Sequence, residues 1–217
     1  MATQKISVTL EADAIERARR TAGPRGLSSY LDTALAEKLE RDERRDALLA
    51  YLDELEATDP TTEATKHRAR TAGRSDPRSG PRVVTDPVVV LDSGVVDRAA
   101  TNGEFRWLLR DLVEQGWVPV VPTVVLAEAT TGRASDAPVN QAIRRIGTAD
   151  TPPSAARLAG RLRYDAQPAG SGRAPGGIDA IVAAHAAEVG TGVVFTTGPA
   201  DLRRLLADYP RIAVEKP

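Results

Sequence analysis

From Val88 to the C-terminus, short apolar runs alternate with stretches of helical spacing. That alternation constrains the fold more than any other feature. The run Val88–Leu91 (VVVL) ends in Asp92. A helix is expected over Glu104–Gln115, with Phe105, Leu108, Leu109, Leu112 and Val113 on one face. Trp117–Val121 reads as a strand stopped by Pro122, and Thr123–Thr131 continues as a helix. Helical segments follow near residues 137–146 and 153–164, and a Gly/Pro/Ala-rich break covers Gln167–Gly177. Ile178–Val189 reads as helix, Gly192–Thr197 as strand, Pro199–Ala207 as helix and Arg211–Glu215 as a last strand. Short apolar strands separated by helices imply an α/β domain, with a parallel sheet covered on both faces, over residues 88–217.

Upstream the composition changes. Residues 57–87 hold four prolines and almost no large apolar side chain before Val83. Such a stretch buries too little to offset its ordering entropy, so it reads as a linker or a tail that folds on binding. Residues 1–56 then form a separate small unit. The absence of cysteine excludes disulfide frameworks, thiolate metal sites and cysteine nucleophiles, and suits a reducing cytoplasm. The two histidines, His67 and His185, make a histidine-rich metal site untenable. No apolar run has membrane-spanning length, and no signal-peptide core opens the chain, so a cytoplasmic protein is expected. The net charge is −1, so any nucleic-acid surface must be a local patch.

In the first unit, Lys5–Leu10 (KISVTL) alternates strictly, with Ile6, Val8 and Leu10 apolar. This is a strand with one buried face. A helix over Ala12–Ala22 stops at Gly23-Pro24. Ser28 or Ser29 caps a second helix with Leu31, Ala34, Leu35 and Leu39 in one stripe. One strand and two helices cannot close a core alone, because both strand edges stay unpaired. Pairing with the same strand of a second copy gives an antiparallel ribbon whose polar ridge suits a major groove. The segment resembles the ribbon-helix-helix family of bacterial antitoxins of the VapB type. The resemblance implies a homodimer on operator DNA, with Lys5, Ser7 and Thr9 on bases and a phosphate held near Ser28 and Ser29. A plain dimerisation module is the alternative.

Three acids sit where an α/β sheet collects chemistry, at strand ends and helix starts. Asp92 follows VVVL, Glu128 lies in VVLAEAT, and Asp179 opens GIDAIVAA. Clustered carboxylates repel and call for a cation, and hard oxygen ligands select Mg²⁺ or Mn²⁺. Together with VVFTTGPADLRRL, these motifs resemble PIN-domain ribonucleases of the VapC toxin type. The resemblance implies an RNA substrate and a metal held by Asp92, Glu128 and Asp179. Two departures stand out. Gly198 occupies the place of the family's last acid, leaving Asp201 one turn on as a partial substitute, and Gly176 occupies a place where some relatives carry an acid. Plainer readings are helix caps for Asp92 and Asp179, a packed His185, and a Ser93 that orients its neighbour. Glu128, among apolar residues, would be costly if buried unpaired.

Antitoxins of this kind end in a tail that occupies the toxin's acidic cleft. Here Leu48–Leu55 offers an apolar helix face that could lie in a groove on the PIN-like unit. Arg68 and Arg70 offer guanidinium groups suited to the three carboxylates, and a solvated basic linker is the alternative. The expected molecule is therefore a fused toxin–antitoxin chain: a metal-dependent endoribonuclease restrained in cis by a DNA-binding head. The alternative is a non-catalytic DNA-binding regulator with a degenerate PIN-like domain, and a third reading is a nuclease acting on DNA.

Overall fold

The computed structural model describes residues 7–72, 86–167 and 173–217. The chain divides into two compact units, Met1–Glu43 and Arg44–Pro217. The division falls inside one helix, not at residue 56.

In the first unit, α1 (Ala12–Ala22) ends as expected, because Gly23 turns to positive φ (55°) before Pro24. The next helix, α2 (Gly26–Thr58), is far longer than the sequence suggests. It starts at Gly26, so Ser28 and Ser29 lie exposed within its first turn and neither is its N-cap. The strand expected over residues 5–10 is not formed at Ser7–Leu10, and Lys5 and Ile6 fall outside the described residues. The physical reason is the one that motivated a dimer: a lone strand has no ladder to join. Val8, Leu10, Leu31, Leu35 and Leu39 are accordingly all exposed, Val8 at 65 % and Leu35 at 52 %.

The second unit holds the parallel sheet. Its strands are β1 (Val88–Leu91), β2 (Val118–Pro122), β3 (Thr148–Ala149), β4 (Gly192–Phe195) and β5 (Ile212–Glu215). Their order is β3-β2-β1-β4-β5, with every pairing parallel. Strand β3, two residues long, is too short to show a period and escapes sequence reading. Proline inside β2 is tolerated because Val118 N–H donates to Pro87 O on the β1 side, which turns the nitrogen of Pro119 the other way. Gly192 is required where β4 meets β1, since a Cβ there would stand 2.5 Å from Val88 O.

Helices cover the sheet: α4 (Ser93–Thr101), α5 (Gly103–Glu114), the short α6 (Leu126–Ala129), α7 (Ala137–Ile146), α8 (Pro153–Asp165), α9 (Gly177–Val189) and α10 (Pro199–Leu205). Helix α4 was not anticipated. Its apolar stripe, Val95, Val96 and Ala99, is too short to declare a period. The core centres on β1, whose four residues are all buried, and Phe105 meets Phe195 edge-on at 5.4 Å.

The tail expected over residues 57–87 is in part structured. A helix, α3 (Glu63–Ala72), lies within it, while residues 73–85 fall outside the described set. Helix α3 packs against α5 and buries Ala69. Polar contacts supply what its composition lacks in apolar surface. Glu56 accepts from the backbone N–H (2.9 Å) and hydroxyl (2.8 Å) of Thr61 and from Trp107 Nε1 (3.0 Å), and pairs with Lys66. Buried Arg106 donates to the carboxylate of Asp59 at 2.9 Å.

Candidate functional site

The strand order reverses between β1 and β4, and ligands of open α/β sheets bind beyond the strand ends at such a switch point. Asp92 stands there, at the exit of β1 and the N-cap of α4. Its Oδ1 accepts from Ser93 N–H at 2.7 Å, and its Oδ2 accepts from the hydroxyl of Thr196, just past β4, at 2.7 Å. Asp92 and Thr196 are both buried. The cap reading of Asp92 is therefore true of its local structure. Each carboxylate oxygen retains a further lone pair, so capping does not exhaust it.

Ser93 links two of the acids. Its Oγ donates to Glu128 Oε2 at 3.0 Å and stands 3.5 Å from Asp92 Oδ1. Glu128 lies in α6, directly beyond β2, and is exposed. Its apolar sequence neighbours thus do not bury it, and the desolvation cost expected for it does not arise.

Asp179 occupies the first turn of α9, and the N–H of Gly176 donates to it. Burial raises its carboxyl above the usual range, and the charges of Asp92, Asp201 and Glu128 add to the rise, while the Gly176 bond opposes it. The fold thus brings all four expected acids into one field. Asp201, on α10, also pairs with Arg204. The two glycine departures differ in kind. A Cβ at Gly176 would lie 2.7 Å from Asp179 Oδ2, so a side chain there would require the Asp179 carboxylate to shift. Around Gly198 there is open space, and its φ of −120° suits any residue.

As the side chains lie, no group of three or more His, Asp or Glu among the described residues stands close enough to hold a metal ion. The donor chemistry nonetheless fits a hard cation: carboxylate oxygens only, mutually repelling, with no competing nitrogen or sulfur ligand. His185 packs within α9, where burial lowers its imidazole against the charge of Glu188, and its Nε2 lies 3.3 Å from Thr151 Oγ1.

No family model and no curated protein sequence matches the chain. Among solved structures, VapBC2 from Rickettsia felis, crystallised with a DNA fragment from its promoter, matches with a TM-score of 0.46. Identity is 16 %, and the match covers 59 % of this chain and 98 % of that one.

The arginine tail departs from expectation. Arg68 Nε contacts Glu104 Oε1 on α5 at 3.4 Å, and Arg68 also donates to Thr65; it pairs with none of Asp92, Glu128 or Asp179. Docking α3 along α5 commits Arg68 to the acid at the start of that helix. The side chain of Arg70 lies outside the described set. Of the DNA-contact candidates, Lys5 also lies outside it, and Ser7, Thr9, Ser28 and Ser29 are exposed. Sequence reasoning missed Thr196, whose place in VVFTT looked like strand, and Asp136. The buried Asp136 accepts three backbone N–H groups, from Thr131 (2.7 Å), Gly132 (2.7 Å) and Arg133 (3.2 Å), and so ties down the loop after Glu128. Asp at the start of a Pro-containing helix was its signal. Among the described residues, no helix is long and apolar enough to cross a membrane.

Proposed function

We propose that this chain is a toxin–antitoxin type protein in which a DNA-binding head is fused to a PIN-like, divalent-metal-dependent endoribonuclease. The observation that carries the nuclease reading is the Ser93 bridge. It joins Asp92 and Glu128, from separate segments, at the sheet's switch point beside Asp179. Asp92, Glu128 and Asp179 are the residues assigned to hold Mg²⁺ or Mn²⁺, and Asp201 is a weaker contributor. A bound ion would supply Lewis-acid stabilisation and an activated water for phosphodiester hydrolysis. Thr196 and Ser93 are positioning residues: their hydroxyls fix the rotamers of Asp92 and Glu128. The head reading rests on the exposed apolar set Val8, Leu10, Leu31, Leu35 and Leu39, which a second copy would cover. The ribbon so formed would present Lys5, Ser7 and Thr9 to operator DNA.

RNA cleavage by the full chain with Mn²⁺ or Mg²⁺ tests this. Asp92→Asn and Asp179→Asn should each lower the rate by about 10²-fold or more, with little change in circular dichroism. Gly198→Asp should tighten Mn²⁺ binding in calorimetry. Cleavage that is indifferent to Asp92→Asn and Asp179→Asn, or that persists in EDTA, refutes the assignment. Gly198 and the spacing of the acids favour a second reading, a non-catalytic DNA-binding regulator. That reading predicts no cleavage and no metal binding even with Gly198→Asp.

A further inference from the structure

Four acids beyond the strand ends repel a phosphodiester, so a polyanionic substrate needs nearby cations to hold it. Helix α8 carries them. Its inner face, Ala155, Ala159 and Leu162, is buried against the protein. Arg157, Arg161 and Tyr164 follow at i, i+4 and i+7 and share the opposite face. All three are exposed, and Tyr164, at 73 %, is more exposed than any other large apolar side chain among the described residues. Arg157 and Arg161 make no ion pair among the described residues, not even Arg161 with Asp165 one turn on, whereas Arg68, Arg106, Arg110 and Arg204 are all paired. The stripe from Arg157 to Tyr164 rises about 10 Å along the helix.

The stripe runs toward the acids. Helix α8 packs along α9, and Arg163 Nε donates to Pro175 O at 2.9 Å. The last turn of α8 is thereby tied to the residue that precedes Gly176 and the Asp179 turn. We propose that the outer face of α8 is a binding track for single-stranded nucleic acid. Arg157 and Arg161 take successive phosphates and Tyr164 stacks on a base at the end nearest Asp179. The assignment rests on the nuclease reading for its purpose but not for its test.

The test is fluorescence anisotropy of a fluorescein-labelled oligouridylate with the full chain in EDTA, so that no cleavage intervenes. The double variant R157A/R161A should bind about tenfold more weakly or worse, and its slope of log affinity against log salt should fall by about 1.4. R157K/R161K should keep that slope. Y164A should weaken binding roughly tenfold and Y164F should not. An oligothymidylate run in parallel shows whether the face takes either sugar. Parental affinity in R157A/R161A and Y164A overturns the proposal, as does equal competition by duplex RNA or no binding by the parent chain. Cleavage in Mn²⁺ with unchanged affinity and KM in these variants would remove the track and leave the nuclease standing. Lost affinity with no cleavage by any form would keep the track and remove the nuclease.

Discussion

At the residue scale, the chain spends its ionisable groups in two different ways. Asp179 is held among like charges, an arrangement that costs stability. Glu56 is the opposite case. Burial works to raise its carboxyl, but bonds from the Thr61 backbone, the Thr61 hydroxyl, Lys66 and Trp107 outweigh that and bring it down to about 2 from 4.5. A depressed carboxyl stabilises the fold fully above its unfolded value and loses that contribution as pH falls through its folded value. Glu56→Gln should therefore cost about 1–2 kcal/mol in urea unfolding at pH 7. The gap between variant and parent should hold above pH 4.5 and shrink steadily as the pH falls from there toward 2. A gap that stays constant down to pH 3 would show that the network around Glu56 does not depend on its charge.

At the element scale, the structure separates elements that stand on local pattern from those that need a partner. Helix α1 ends at Gly23-Pro24 and the four-residue runs β1 and β4 pair where their apolar patterns suggest, because each signal is local and the sheet lies within the same unit. Strand β3 and helix α4 were illegible, since two residues, or one apolar stripe of nine, fall below the length at which a period can be read. The alternating KISVTL is legible but unformed at Ser7–Leu10, where one chain offers no edge to pair with. Its described apolar residues, Val8 and Leu10, face solvent, as do Leu31, Leu35 and Leu39. If a second copy covers them, Val8→Asp should shift the full chain from dimer to monomer in sedimentation velocity and abolish operator binding. Melting of the Arg44–Pro217 unit should be unmoved. A parent chain that is monomeric at micromolar concentration, or a Val8→Asp chain that stays dimeric, would contradict this pairing.

At the scale of the whole molecule, sequence composition places the start of the second compact unit too late. Apolar density rises only at Val83, yet the compact unit starts at Arg44. Leu48, Tyr51 and Leu52 are buried in the same core as β1, and Leu55 packs against it. Their stripe was visible and was expected to dock on the PIN-like unit, but nothing local could say that Asp53 and Glu56 beside it would meet Arg110 and Trp107 of α5. The three acids were legible because strand ends and helix starts mark them, whereas the convergence of Thr196 and Ser93 on them is a property of the sheet order alone. The segment expected as an inhibitory tail is thus, over its described residues, in large part a brace. Arg110 pairs with Asp53, Arg106 with Asp59, and Lys66 stands 4.8 Å over the ring of Trp107. Burying Leu48, Tyr51 and Leu52 contributes about 5–9 kcal/mol at roughly 1.5–3 kcal/mol each. That is comparable to the roughly 5–15 kcal/mol that holds a whole domain folded. A fragment of residues 44–217 should therefore melt cooperatively. Residues 83–217 should instead bind a hydrophobic dye and lose the sharp transition, with buried Arg106 left facing no carboxylate. Equal melting temperatures for the two fragments would show that residues 44–72 are not needed for the fold of the rest. If the brace is integral, the acids and the brace form one folding unit, because the chain cannot shed this segment without unfolding the unit that carries Asp92, Glu128 and Asp179.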